Sequence, residues 1–277
     1  MLERLFKISQ NNSTVKTEIT GGLTTFMTMA YILAVNPSVL SAAGMDPTAV
    51  LLATAIASFI GTVCMGVFAN LPIALSAGMG LNAYLAYTVV MGYGYSWQVA
   101  LLAVFVEGLI FIALSLTNVR EAIFNALPLQ LKKGISVGIG LFVAFIGLQN
   151  SKLVVNSDST LVTIVSFREN FNTVGIGALL AVIGTLIIVI LSVKNVKGAI
   201  LIGIIATWLL GIVCQLTGIY TVDPAAGFYS LLPAWSEFNL GAIGQTFGQC
   251  FAPEAFANVK WVDLFVIMCS FLMVDMF

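Results

Sequence analysis

In the segment GMGLNAY, residues 78–84, two glycines and an asparagine interrupt an otherwise apolar stretch. Asn82 offers a hydrogen-bond donor and an acceptor on one uncharged amide. Gly78 and Gly80 are weak helix formers that permit unusual backbone angles and leave bare amides. An extended entry from Pro72, followed by a half-helix whose good helical residues resume at Leu81, would put a positive helix end beside Asn82. This is either a polar ligand site or a structural helix start. Two carboxylates stand out on the same grounds: Glu107 lies midway through ALLAVFVEGLIFIALSL and Asp275 within FLMVDMF. Asp275 follows Asp263 by 12 positions, roughly 18 Å of helical rise. A carboxyl at that depth in apolar sequence must pair, bind a ligand or take up a proton. Glu107, next to Gly108, reads as a bond between packed helices or as a proton-handling group. Thr17, Thr20, Thr24, Thr25 and Thr28 recur at spacings of three and four. They share a helical face and can bond to their own backbone or to a neighbouring helix. Thr24, Thr25, Thr28 and Gly78 are the candidates to line a site.

These residues need a scaffold, and the composition says which kind. Only 8% of the 277 residues are charged and the mean hydropathy is +1.05, against about 25% charged in soluble domains. The chain is a membrane protein. Apolar runs long enough to cross the hydrocarbon are found at 19–42, 48–69, 72–91, 97–116, 131–149, 173–193, 197–217 and 259–277, which predicts eight spans. The third contains Pro72 to Gly80 and is expected to be interrupted, a form tolerated only where freed backbone lines a cavity or is covered by protein. Asn36-Pro37 near the end of the first span is expected to bend or end that helix.

With a cytoplasmic N-terminus, the inner segments hold Arg4, Lys7, Lys16, Arg120, Lys132, Lys133, Lys194 and Lys197, and the outer ones Lys152, Arg168 and Lys260. Eight against three follows the positive-inside rule. The sequence has no histidine and its four cysteines are scattered, which argues against zinc, a disulfide framework and a histidine-based catalytic site. No metal is expected, no enzyme chemistry is visible, and a net charge of −1 gives no reason to expect nucleic-acid binding. The stretch 218–258, with Pro224, Pro233, Pro253, Tyr229 and Trp235, reads as an extracytoplasmic, interfacial linker.

The blocks TEITGGLTTFMTMAYILAVNP, GMGLNAYLAYTV, FVEGLIFIALSLTNVRE and GIGLFVAFIGLQN, in this order along the chain, resemble the AzgA-like guanine/hypoxanthine/adenine permeases of the nucleobase:cation symporter-2 superfamily. The resemblance implies the all-α polytopic uracil-permease fold, fourteen spans in two inverted repeats of seven, with a third span that is part strand and part half-helix. It divides this chain into a cytoplasmic N-terminus (1–18), core spans 1–4 (19–117), gate spans 5–7 (118–217), the linker (218–258) and the start of the second repeat (259–277). By that resemblance Asn82 and Asp275 contact the substrate, with Gly80 and Ala83 beside Asn82. The amide is expected to bond the ring acceptors of a purine and Asp275 to accept from a ring N–H. Asp275 or Glu107 would couple a proton to uptake, with no cofactor beyond that proton. The partners implied are a purine nucleobase, membrane lipid and a second copy in a homodimer, and the location is the plasma membrane. A second aspartate of the family block falls beyond Phe277, so truncation in the eighth span is expected. A non-functional or partner-dependent fragment, or a transporter of anions or other nucleobases on the same fold, stays open as an alternative.

Overall fold

Without water to bond, backbone groups in an apolar run must pair within the segment, and this drives helix formation along most of the chain. The computed structural model describes residues 6, 8, 13–117, 119–223, 228–233, 239–256 and 260–275; Arg4, Lys7, Pro224 and Trp235 lie outside them. Among the described residues, six helical segments are long and apolar enough to cross a membrane: Val15–Ser41, Pro47–Ala69, Trp97–Leu116, Leu129–Asn150, Phe171–Val193 and Ala199–Leu216. They coincide with six of the eight expected spans, and the chain is a multi-pass membrane protein. The expected third and eighth spans are shorter as helices. The third is extended until Gly78, and the described part of the eighth covers Trp261–Asp275.

The chain forms two compact units, each drawn from three stretches: residues 1–31, 62–74 and 145–238 in one, 32–61, 75–144 and 239–277 in the other. In the first unit, helix α1 (Val15–Met29) starts where the Thr14 hydroxyl accepts from the Thr17 N–H at 3.2 Å, with Glu18 favourably placed at the positive end. The span that continues it breaks at Ala30–Tyr31, upstream of the expected Asn36-Pro37 site, and Pro37 is carried inside the next helix. The polar stretch after residue 150 folds as a hairpin of β1 (Val154–Ser157) and β2 (Leu161–Ile164), antiparallel, with Val154 opposite Ile164 and Ser157 opposite Leu161. Each strand is only four residues long, too short for an alternating pattern to stand out in the sequence.

Two later helices of this unit, Ile176–Val193 and Ala199–Leu216, pack at backbone distance. A Cβ on Gly184 would collide with the Thr207 side chain, and one on Gly203 with Ile188. Small residues allow this approach, and dispersion is the main attraction between helices where lipid is as apolar as the side chains. Ile176, Leu180 and Tyr220 form the small core at one end, where the Tyr220 hydroxyl donates to the Tyr229 carbonyl at 2.9 Å.

The second unit contains α2 (Ile32–Ser41), most of α3 (Pro47–Cys64), α4 (Met79–Ala83), α5 (Trp97–Leu116), α6 (Val119–Ala126), most of α7 (Leu129–Asn150) and, after α8 (Ile176–Val193) and α9 (Ala199–Leu216) of the first unit, α10 (Trp261–Asp275). A wide π turn, Tyr84–Gly92, prolongs α4. Its core joins Leu40, Met45, Val50, Leu85, Val89, Ala100, Ala103, Ile267 and Phe271. By contrast α7 buries no residue, and Leu131, Val137, Leu141 and Phe145 stand exposed along it. An apolar helix with no buried face is stable only where its surroundings are themselves apolar.

Candidate functional site

The site is assembled in the second unit, around the interruption seen in the sequence. Residues 71–78 have no helical or strand pairing, and helix resumes at Met79. The expected strand is thus an extended segment without a ladder partner among the described residues. It runs beside α3: the Ser58 and Ser76 hydroxyls share a hydrogen bond at 2.7 Å, and a Cβ on Gly61 would meet Leu75 Cβ at 3.4 Å. Gly78 is the N-cap of α4 and caps no amide with a side chain. The expectation of unusual backbone angles is corrected here. Gly78 has φ −76° and ψ 112°, open to any residue, and Gly80 is helical, with room for a Cβ 3.5 Å from Ile139. The glycines leave the helix start bare without supplying special geometry.

Asn82, in the first turn of α4, donates from Nδ2 to Oδ1 of Asn36 on α2. Asn36 in turn donates from Nδ2 to Thr54 Oγ1 on α3 at 2.7 Å, and Thr54 donates to the Val50 carbonyl at 2.7 Å. Asn36 is 3% and Thr54 6% exposed. Three helices therefore meet on one chain of polar groups, which satisfies costs that each group would otherwise incur on burial. Sequence reading took Asn36 only as the residue before Pro37 and passed over Thr54. The available signal was two polar residues inside apolar runs, too common a pattern to single them out.

Ala83, beside Asn82, is buried at 3% exposure and serves packing. Glu107 projects from the middle of α5 and is also 3% exposed. Its Oε1 has no hydrogen-bond partner among the described residues. Asp275 closes α10, is exposed, and lies within electrostatic reach of Glu107. The structure thus brings the two expected carboxylates into one neighbourhood, α10 being packed on α5. Three contacts hold α10 and its approach. The Tyr84 and Phe271 rings meet edge to face at 5.3 Å, Tyr95 Oη donates to Asp263 Oδ2 at 2.5 Å, and Gln98 Nε2 donates to Glu254 Oε2 at 2.9 Å. Hydrogen bonding to the Asp263 carboxylate, with smaller contributions from burial and from its negative charge, raises the Tyr95 phenol above its ordinary 10.0.

Thr24, Thr25 and Thr28 belong to the first unit. Each bonds back along its own helix, to Thr20, Gly21 and Thr25 carbonyls at 2.8, 3.0 and 2.7 Å. Of the two roles the sequence allowed them, backbone bonding is the one observed. A cavity of about 690 Å³ in that unit is lined by Lys152, Gly184, Thr207, Trp208 and Tyr220 among others, and by none of the expected site residues.

The Permease family model matches residues 16–261. An adenine permease of Escherichia coli is 39% identical over 255 residues, covering 89% of this chain and 55% of its own length. A guanine/hypoxanthine permease of Bacillus subtilis is 42% identical over 275 residues, covering 99% of this chain and 59% of its own. A second Escherichia coli adenine permease is 41% identical over 226 residues, covering 80% and 50%. The chain spans about half the length of the curated relatives it matches.

Proposed function

The chain belongs to the permease family, and on that premise we propose that it carries purine nucleobases across the plasma membrane by alternating access. Support comes from relatives named for adenine and for guanine/hypoxanthine. The observation that carries the reading is the buried polar chain ending at Asn82 on an interrupted helix, in the unit that also holds Glu107 and Asp275. A neutral base is small and flat, rich in donors and acceptors, and needs such groups to replace water lost on entry.

Asn82 hydrogen-bonds the base, with the α4 amides near Gly80 and Ala83 beside it, and Asp275 accepts from a ring N–H. Uptake is coupled to a proton carried by Asp275 or Glu107, and no other cofactor takes part. A carboxyl held out of water can bind a proton with the substrate and release it on the other side, which links the two fluxes. The architecture proposed is eight spans in these residues, the first seven being one repeat of an inverted pair. Segment 19–117 supplies the base-binding core, 118–217 the gate, the N-terminus is cytoplasmic, and two copies form a dimer.

Ligand-induced stabilisation tests the reading without requiring transport. Adenine, guanine or hypoxanthine should raise the melting temperature of the purified intact protein in proportion to the logarithm of concentration, whereas ribose should not. No shift with any purine at saturating concentration would count against it.

A further inference from the structure

The hydrogen inventory of the Thr54–Asn36–Asn82 chain fixes more than stability. Thr54 has one hydroxyl hydrogen, and it points to the Val50 carbonyl at 2.7 Å, a group that can only accept. Towards Asn36, therefore, Thr54 Oγ1 can act only as an acceptor. Asn36 must present its NH₂ to Thr54, at 2.7 Å, and so turns its Oδ1 towards Asn82. Asn82 must then direct one N–H of its NH₂ to Asn36, which leaves its Oδ1, and the second N–H of the same group, for other partners. The orientation of each amide follows from the backbone carbonyl at the end of the chain, because any single flip would set two donors or two acceptors face to face.

We propose that Thr54 and Asn36 are positioning residues that orient the Asn82 amide so that its carbonyl oxygen is kept clear of Asn36, meets the substrate and selects a base bearing a ring N–H. This rests on the functional reading above and sharpens it, since the sequence alone had Asn82 serving ring acceptors. Asn36 and Thr54 are buried and satisfied, so neither needs to touch the base. Their contribution is directional. A site whose acceptor is fixed before binding discriminates against a ligand with a methyl in place of the hydrogen, whereas an amide free to rotate adapts to either.

The test is competition against radiolabelled hypoxanthine by hypoxanthine and by its analogues methylated singly at each ring nitrogen, using the intact protein in membranes. The wild type should reject most strongly the analogue whose methyl replaces the hydrogen that Asn82 accepts. In Thr54→Val, which keeps the shape and removes the acceptor, that discrimination should shrink about tenfold, the value of one ordinary hydrogen bond. Thr54→Ser should restore it. A merely structural role would lower the amount of active protein and leave the ranking of analogues unchanged, and that outcome overturns the proposal. Should Thr54→Val fail to reach the membrane, Asn36→Leu takes its place. It removes the acceptor that holds Asn82 Nδ2, so a discrimination that shrinks supports the relay and an unaltered one overturns it. Wild-type protein that binds no purine overturns the functional reading and the relay together. Wild-type binding with an unaltered Thr54→Val profile overturns the relay alone.

Discussion

Tyr95 Oη donates to Asp263 Oδ2 at 2.5 Å and ties the residue before the N-cap of α5 to the first turn of α10, across 168 positions of sequence. These are the helices that carry Glu107 and Asp275, so the bond helps to hold together the pair that brings the two carboxylates within electrostatic reach. Tyr95→Phe should lower the melting temperature of the purified protein at neutral pH. The phenol is raised above 10.0, chiefly by its hydrogen bond to Asp263. The bond's contribution is therefore complete below the ordinary pKa and is lost as pH climbs through the raised one. Wild-type and Tyr95→Phe melting curves should differ by a constant amount through neutral pH and converge only in strongly alkaline solution. Convergence already at pH 8 would contradict the assignment.

Asn82→Ala should weaken purine binding by about 1–3 kcal/mol, the range for one lost buried hydrogen bond to a ligand. Competition curves for guanine and hypoxanthine measure it, and unchanged curves would leave Asn82 a structural helix-start residue.

Glu107 is buried with one oxygen lacking a described partner, so a neutral isostere should be tolerated by the fold. Glu107→Gln should reach the membrane at normal levels and bind purine, yet lose accumulation that collapses on adding an uncoupler. Uncoupler-sensitive accumulation by Glu107→Gln would assign the proton to Asp275, whose Asp275→Asn variant should then lose it.

The close packing of α8 on α9 is testable without any substrate. Gly184→Ala and Gly203→Ala place a methyl into Thr207 and Ile188 and should each cost about 1–3 kcal/mol. Gly177→Ala, where a Cβ meets nothing within 4 Å, should be neutral or slightly stabilising. Thermal unfolding in detergent distinguishes them, and equal effects at all three positions would remove the packing argument.

What could be read from the sequence depended on whether the signal was local. Six spans were legible because about 20 apolar residues in a row have one low-energy form in lipid. The interruption at Pro72–Gly80 was legible because those residues are poor helix formers, and the helix start at Met79 lies within two residues of the expected Leu81. The chain Asn82–Asn36–Thr54 was not legible, because it depends on three helices meeting in a register that no single-helix periodicity encodes. The same holds for Tyr95 and Asp263. Of the bend or end expected at Asn36-Pro37, an end is not found: a proline lacks one donor, α2 continues through Pro37 to Ser41, and the helix is interrupted at Ala30–Tyr31. The hairpin Val154–Ile164 was hidden by its short strands, whose pairing is supplied by the turn between them.

Uptake of radiolabelled hypoxanthine, guanine and adenine by cells that lack their own purine permeases and express the intact protein tests the central claim most directly. The account predicts accumulation of at least one of the three above cells without the protein, collapsing with an uncoupler and lost in Asp275→Asn at equal membrane abundance. Wild-type protein abundant in the membrane with purine uptake no greater than that of control cells would contradict it.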